Sequence, residues 1–268
     1  MKKINKSAEP QALSSYRENN PNGKWGEFRK HRSRRSYRTV KKIIFADQGE
    51  LCAYCEVPLK DIDNSMKRLE HFHSKGDTQA TTNLDLEWTN IIGVCLGGEK
   101  GNTDSESETN SDASLEPSDR LSCDAHKNRL EEGGVISKNC VGLVLNPLEI
   151  IKESLFVVNK KDGKIHPNTN NCSLYTPAHN VHQSVEELVQ NTINVFNLNC
   201  TRLTKRRKMI CDDYYRRVLI ARSKQDVLFF ENNFKMWFSS KWPSFFTTKR
   251  FLMGDFAEKK LAALNFNG

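Results

Sequence analysis

The sequence predicts a small α+β protein in which short strands and a cysteine knuckle sit between helical segments on either side. Three observations predict this. Cys52 and Cys55 form a Cys-x-x-Cys turn, and Cys95 and Cys123 follow at spacings that leave room for intervening loops. Apolar residues recur at helical spacing through residues 37–48 and again between residues 184 and 238, with capping or stop residues at their ends. Between them lie short apolar or alternating runs bounded by Gly, Asn and Asp, as expected of strands joined by turns. The expected division is a basic helical N-terminal region over residues 1–49, a core over residues 50–130 and a mostly helical C-terminal domain with a hairpin over residues 131–268.

In chain order, residues 1–24 are polar with turn signals at Glu9-Pro10 and Asn20-Pro21-Asn22-Gly23, so an extended arm and loop are expected. Residues 25–37 mix Trp25 and Phe28 with Arg29, Lys30, Arg32, Arg34 and Arg35, a pattern that suits a phosphate-gripping helix with its rings packed inward. Val40, Ile43, Ile44 and Ala46 then space as a helix that Gly49 stops. After the knuckle, a polar turn at residues 60–65 leads to a strand carrying His71, and residues 82–95 alternate before turning wholly apolar. Residues 97–119 begin with a Gly, Ser, Asp and Glu run that cannot bury apolar surface and reads as a flexible acidic loop beside the site. Gly133-Gly134 ends the helix that Cys123 opens, residues 141–147 read as a strand stopped by Pro147, and Asp162-Gly163 is a good hairpin turn. Ser184 with Glu187 forms a capping box, Thr201 is placed to cap a second helix with Lys205, Arg206, Arg207 and Lys208 outward, and a third helix is expected near residues 226–238.

Two residues between cysteines let a chain fold back so that both thiolates take one edge of a tetrahedral Zn2+. Cys52 and Cys55 therefore read as one half of a closed structural zinc site, with Cys95 and Cys123 as the other. Cys140, Cys172, Cys200 and Cys211 have no such spacing and read as packed thiols. Glu70-His71 carries the chemistry: a neutral imidazole can take a proton from water, and an adjacent carboxylate can hold a divalent cation such as Mg2+ or Mn2+. Asp124 or His126 could complete that ion's site and Asn90 could orient the base, which together supply the parts of metal-assisted phosphodiester hydrolysis. If residues 70–72 are regular strand, neighbours point to opposite faces, so Glu70 and His71 converge on one ion only at a strand end or bulge.

The order Cys52-Ala-Tyr-Cys55, Glu70-His71-Phe72-His73, Trp88-Thr-Asn90 with Cys95, and Cys123-Asp124-Ala125-His126-Lys127-Asn128 resembles the HNH (ββα-metal) endonucleases, most closely those of Septu-type anti-phage systems that also occur in retron operons. The resemblance covers most of the chain and is most specific over residues 51–128; it includes the Gln48 that precedes the knuckle and the Asn-Pro-Leu-Glu segment before the hairpin. It implies an HNH core holding a four-cysteine zinc, flanked by helical N- and C-terminal segments. It implies His71 as general base, Glu70 as metal ligand, Asn90 as the central Asn, and Lys127 as positive charge near the site. Asp124 stands where many members have the final metal-binding His, and His73 where many have Arg, which suits His73 to phosphate. The implied partners are an ABC-type ATPase of the same operon and, in retron versions, a reverse transcriptase with its DNA–RNA product.

Residues 1–50 hold 13 Lys or Arg against 5 Asp or Glu, a difference equal to the whole formal net charge of +8. Such a local field attracts polyanions, and nucleic acid contacted through Arg29, Arg32, Arg34 and Arg35 is the expectation. No apolar run approaches the roughly 20 residues that span a bilayer, and the basic start has no apolar stretch behind it, so a cytoplasmic chain is expected. DNA and RNA, including tRNA, stay open as targets, because hydrolysis by an external water uses no 2′-hydroxyl. A zinc-stabilised module that binds nucleic acid or protein without cutting would also use the cysteines and the basic N-terminus, but it leaves Glu70, His71 and Asn90 in this order unexplained.

Overall fold

Leu13 and Tyr16, three residues apart, and Trp25 with Phe28, likewise three apart, give the start of the chain two helical stripes that need covering. The computed structural model describes residues 1–60, 66–77, 80, 82–99, 116–239 and 242–266. In it, α1 (Gln11–Asn19), α2 (Trp25–Lys30) and α3 (Arg35–Asp47) close around those stripes together with Val40, Ile44, Leu86, Trp88 and Ile91. α1 replaces the extended arm expected from polar composition: burial of Leu13 and Tyr16 outweighs the polar residues around them. The single basic helix expected over residues 25–37 is broken, because Arg32, Ser33 and Arg34 take left-handed φ of 47°, 54° and 67° between α2 and α3.

β1 (Lys67–His71) and β2 (Ile91–Cys95) pair antiparallel, with His71 opposite Ile91 and Lys67 opposite Cys95. β2 is buried at every position, which its unbroken apolar run requires. The strand in the expected alternating run is thus limited to its apolar end. α3 lies against the pair because Gly93 carries no Cβ: one placed there would sit 2.8 Å from the Phe45 ring. Gln48, buried just beyond α3, locks this contact by accepting from the Gly93 amide (2.7 Å) and donating to the carbonyls of Gly93 and Leu51 (2.8 Å each). The polar turn expected at residues 60–65 and most of the acidic loop expected at residues 97–119 lie outside the described residues.

α4 (Pro117–Arg120) precedes α5 (Cys123–Glu132), which packs on β2 and on a later helix, α7. The expected hairpin forms as β3 (Phe156–Val158) and β4 (Ile165–Pro167), followed by the short α6 (Thr169–Cys172). α7 (Val185–Val195) is capped as expected, with the Ser184 hydroxyl accepting from the Glu187 amide at 3.1 Å. α8 (Thr201–Ser223), α9 (Phe229–Trp237) and α10 (Phe246–Ala263) complete the chain.

Three C-terminal expectations are corrected. Residues 141–147 are consecutive turns and not a strand; their backbone bonds go elsewhere, the Leu145 amide to the Thr192 hydroxyl at 2.8 Å and the Pro147 carbonyl to the Ile4 amide at 2.8 Å. Thr201 is the first residue of α8 and not its cap. Arg207 is buried and donates to the Leu198 carbonyl at 2.7 Å, so it is no part of an outward basic face. α10 was not expected, because Gly254 interrupts its helical geometry and breaks the apolar period. Residues 242–246 are core: Trp242, Phe245 and Phe246 belong to the same buried cluster as the knuckle, the hairpin and α7 to α9.

Replacing Gln48 with Ala takes the partner from the Gly93 amide and the Leu51 carbonyl, while the Gly93 carbonyl keeps the Ala53 amide at 3.0 Å, and is expected to cost about 2 kcal/mol of stability. Urea denaturation measures it, and an unchanged midpoint would show that the amide clamp contributes nothing.

Candidate active site and metal centre

The knuckle turn after Leu51, the end of β2 and the start of α5 bring four sulfurs together. Sγ separations are 3.7 Å for Cys52–Cys123, 3.7 Å for Cys55–Cys95 and 3.9 Å for Cys95–Cys123, and all four lie within 4.8 Å of one another, buried. Sulfurs placed tetrahedrally at about 2.3 Å from a metal are separated by about 3.8 Å, so the donor set fits such an ion. The Gly97 amide donates to the Cys95 sulfur at 3.3 Å, and Gly97 has φ +65° with a would-be Cβ 2.1 Å from the Ser122 carbonyl oxygen, so glycine alone allows that approach. Buried Arg202 donates to the Ser122 hydroxyl at 2.7 Å; burial opposes its charge, but the neighbouring thiolates, Cys95 first, hold its pKa above the ordinary range. Burial pushes the Cys55 and Cys123 thiols up, whereas hydrogen bonds from the other three cysteines pull Cys95 well down. Cys140, Cys172, Cys200 and Cys211 are free buried thiols, as expected.

Arg68 and Glu70, two apart on β1, share the face that meets α5. Lys127 reaches across from α5 and donates to Glu70 Oε1 at 2.8 Å, the Phe72 carbonyl at 2.9 Å and the His71 carbonyl at 3.3 Å. Asp124, in the first turn of α5, lies near enough to Glu70 to raise its pKa and accepts from an Arg68 guanidinium nitrogen at 3.4 Å. Burial lifts the Glu70 carboxyl well above the ordinary range, Lys127 opposes this, and Asp124 adds to it. The Tyr54 hydroxyl is buried near both carboxyls without a hydrogen-bond partner. The two carboxyls are met by one ammonium and one guanidinium, those of Lys127 and Arg68. Asp124 and Lys127 share a face of α5, while His126 turns away and places Nδ1 2.8 Å from the Val195 carbonyl. The structure therefore brings Asp124 to Glu70 and takes His126 elsewhere.

His71 is the last residue of β1, the strand end that its adjacency to Glu70 required. Its Nε2 lies 3.0 Å from the Asp85 carbonyl, which can only accept, so Nε2 carries the proton and Nδ1 the lone pair. The Trp25 ring stands edge-on to the imidazole at 4.9 Å, and the Asp85 carboxylate accepts from the Trp25 amide at 2.7 Å. Burial, with 6% of His71 exposed, lowers its pKa to about 4. Asn90 accepts from the His73 amide at 2.8 Å and donates to the carbonyls of His73 (2.9 Å) and Leu84 (3.1 Å). It thus fixes the segment that carries the Asp85 carbonyl. His73 meets the Asp77 carboxylate at 2.7 Å.

Of the expected nucleic-acid contacts, Arg29 and Arg34 line a groove of about 770 Å³ along α3, whereas Arg32 and Arg35 are exposed outside it. Asp85, Trp25, Tyr54 and Arg68 were not foreseen. Only Arg68 carried a signal, its place two residues before Glu70 on an alternating strand.

Four sulfurs on a knuckle, an antiparallel strand pair ending in an acidic-His dipeptide, and a Cys-led helix returning across it define the ββα-metal nuclease class. The chain is 37% identical over 213 residues to "Retron Ec83 putative HNH endonuclease" of Escherichia coli, covering 78% of this chain and 79% of that one. It belongs to the HNH endonuclease family and is an endonuclease. No family model matches the chain. Among the described residues, no helix is long and apolar enough to cross a membrane.

A pH dependence follows from His71. The fold holds the neutral imidazole, so protonation favours the unfolded chain: stability is full above pH 6.5 and falls as pH drops towards about 4. The loss is at most about 3 kcal/mol and should vanish in His71→Gln. Denaturation of both proteins at pH 7 and pH 4.5 measures the difference, and parallel pH profiles would contradict it.

Proposed function

We propose that this endonuclease hydrolyses phosphodiester bonds of DNA, with tRNA as the other target class, as the effector of a Septu-type or retron-associated anti-phage system. The observation that supports the chemistry is that Glu70 faces Asp124 from β1 while the next residue, a neutral His71, ends that strand. His71 takes the proton of the attacking water at Nδ1, since Nε2 is committed to the Asp85 carbonyl. Glu70 and Asp124 would hold a divalent ion, Mg2+ or Mn2+, which supplies charge stabilisation to the phosphate when bound. Asn90 positions the base through its bonds to His73 and Leu84, and Lys127 fixes Glu70. The four cysteines hold Zn2+ as a structural ion; their thiolate donor set and Sγ spacing support it. The retron name of the E. coli relative supports the setting. The ABC-type ATPase and the reverse transcriptase with its DNA–RNA product are partners that the motif resemblance implies, and the ATPase would hold or release the nuclease.

The test is cleavage of plasmid DNA and total tRNA with Mg2+ or Mn2+, alone and with the neighbouring ATPase. His71→Ala should reduce cutting at least a hundredfold while keeping fold and zinc content. Retained cutting would remove His71 as the base.

Cys52→Ser should lose the metal and the folded core together, because structural zinc contributes folding free energy directly. Elemental analysis and circular dichroism report both. A folded, metal-free, active Cys52→Ser protein would overturn the zinc assignment.

A further inference from the structure

The groove along α3 gathers charge beyond what the proposed chemistry uses. Its floor and walls carry Arg29, Arg34, Arg38, Lys41, Lys42 and Arg68, while its single acidic residue among the described residues, Glu50, is paired with Lys67 at 2.9 Å. Arg38, Lys41 and Lys42 project from one side of α3, one turn apart, and the left-handed turn at residues 32–34 places Arg34 just ahead of them. From Arg35 to Lys42 the helix rises roughly 10 Å. That length matches roughly three phosphates of one strand at about 3.4 Å of duplex axis each.

Both rings in the wall are committed. Tyr37 is met by the Arg29 guanidinium at 5.5 Å, the Lys41 ammonium at 6.0 Å and the Trp25 ring at 5.8 Å; Phe45 is buried, with the Lys67 ammonium 5.3 Å from its ring. The groove therefore offers cations and no open ring on which a base could stack. At its β1 end, Arg68 already binds the Asp124 carboxylate at 3.4 Å and the Glu99 carboxylate, two residues before Glu70. A phosphate arriving there meets the guanidinium of a residue whose Cα is roughly 7 Å along the strand from that of Glu70.

We propose that this groove is the backbone track of the nuclease: it grips the substrate strand through its phosphates, without reading bases, and leads it over Arg68 to the Glu70–Asp124 carboxyls. The assignment rests on the nuclease reading for its substrate class. It adds Arg34, Arg38, Lys42 and Arg68 as substrate-positioning residues.

Binding is measured without added divalent ion, on a 30-base-pair duplex and a 30-nucleotide single strand, as a function of salt. The groove variant is Arg34→Glu with Arg38→Glu and Lys42→Glu. The control makes the same charge change on exposed residues of α8 and just beyond it, with Arg216→Glu, Arg222→Glu and Lys224→Glu. All six are exposed, so the fold is retained, which circular dichroism checks. The groove variant should bind at least about tenfold more weakly at 100 mM salt, with the slope of log K against log salt reduced by about 2 to 3, and the control should change less than about threefold. Abasic sites in the strand should leave affinity within about twofold, because no base is stacked. Equal weakening in groove variant and control would reduce the effect to net charge and overturn the track. Wild-type affinity in the groove variant would also overturn it, leaving the groove to an acidic protein. Strong dependence on abasic sites would overturn its restriction to phosphates. The catalytic assignment fails separately: cutting retained by His71→Ala removes His71 as the base while the binding comparison stands, and cutting lost in His71→Ala but kept in the groove variant removes the track alone.

Discussion

Four thiolates drawn to one point fix most of what matters in this molecule. The knuckle turn, the last residue of β2 and the first residue of α5 are far apart in sequence, yet their sulfurs lie within 4.8 Å of one another. Once α5 is pinned at Cys123, its next residue, Asp124, and the same face one turn on, Lys127, have nowhere to go but across β1. The carboxyl pair of Glu70 and Asp124 is thus a by-product of sulfur geometry. Buried Arg202 stands beside the same sulfurs, and Cys95, the thiol that its neighbours pull well down, is the foremost group offsetting the burial of that guanidinium.

The two faces of β1 divide the labour. One meets α5 and gathers Arg68, Glu70 and their charged partners; the other meets α2, where His71 is dried by Trp25 and held by the Asp85 carbonyl. His71 is where the strand stops. The N-terminal helices are therefore part of the environment of His71 as well as a source of positive charge. Trp25, which heads α2, contacts both the imidazole and Tyr37 in the groove wall.

Much of this was legible in the sequence, unevenly. The Cys-x-x-Cys turn, the Gly49 and Gly133-Gly134 stops, the Ser184 cap and the Asp162-Gly163 turn are local signals with local causes, and each landed where expected. α1 was missed because two buried side chains outweighed a polar composition, and α10 because Gly254 spoils its period. The turns at residues 141–147 read as a strand because their apolar residues do bury, but their backbone partners come from Thr192 and Ile4, which no local pattern names. In the site, residue types identified Glu70, His71, Asn90 and the four cysteines as candidates. The choice of Asp124 over His126 as the neighbour of Glu70 needed α5 in place, since two residues along a helix point nearly opposite ways. Asp85 acts through its carbonyl, an atom every residue has, and so left no trace in the sequence.

The Lys127 side chain has a consequence for proton traffic. An ammonium has three N–H bonds, and here three acceptors, Glu70 Oε1 and the carbonyls of His71 and Phe72, receive them. Its pKa is also held above the ordinary lysine range: burial opposes the charge, and Glu70 more than offsets that. Such a group is a spent donor. It sets a constant positive field at the strand end and holds its protons more tightly than an ordinary lysine.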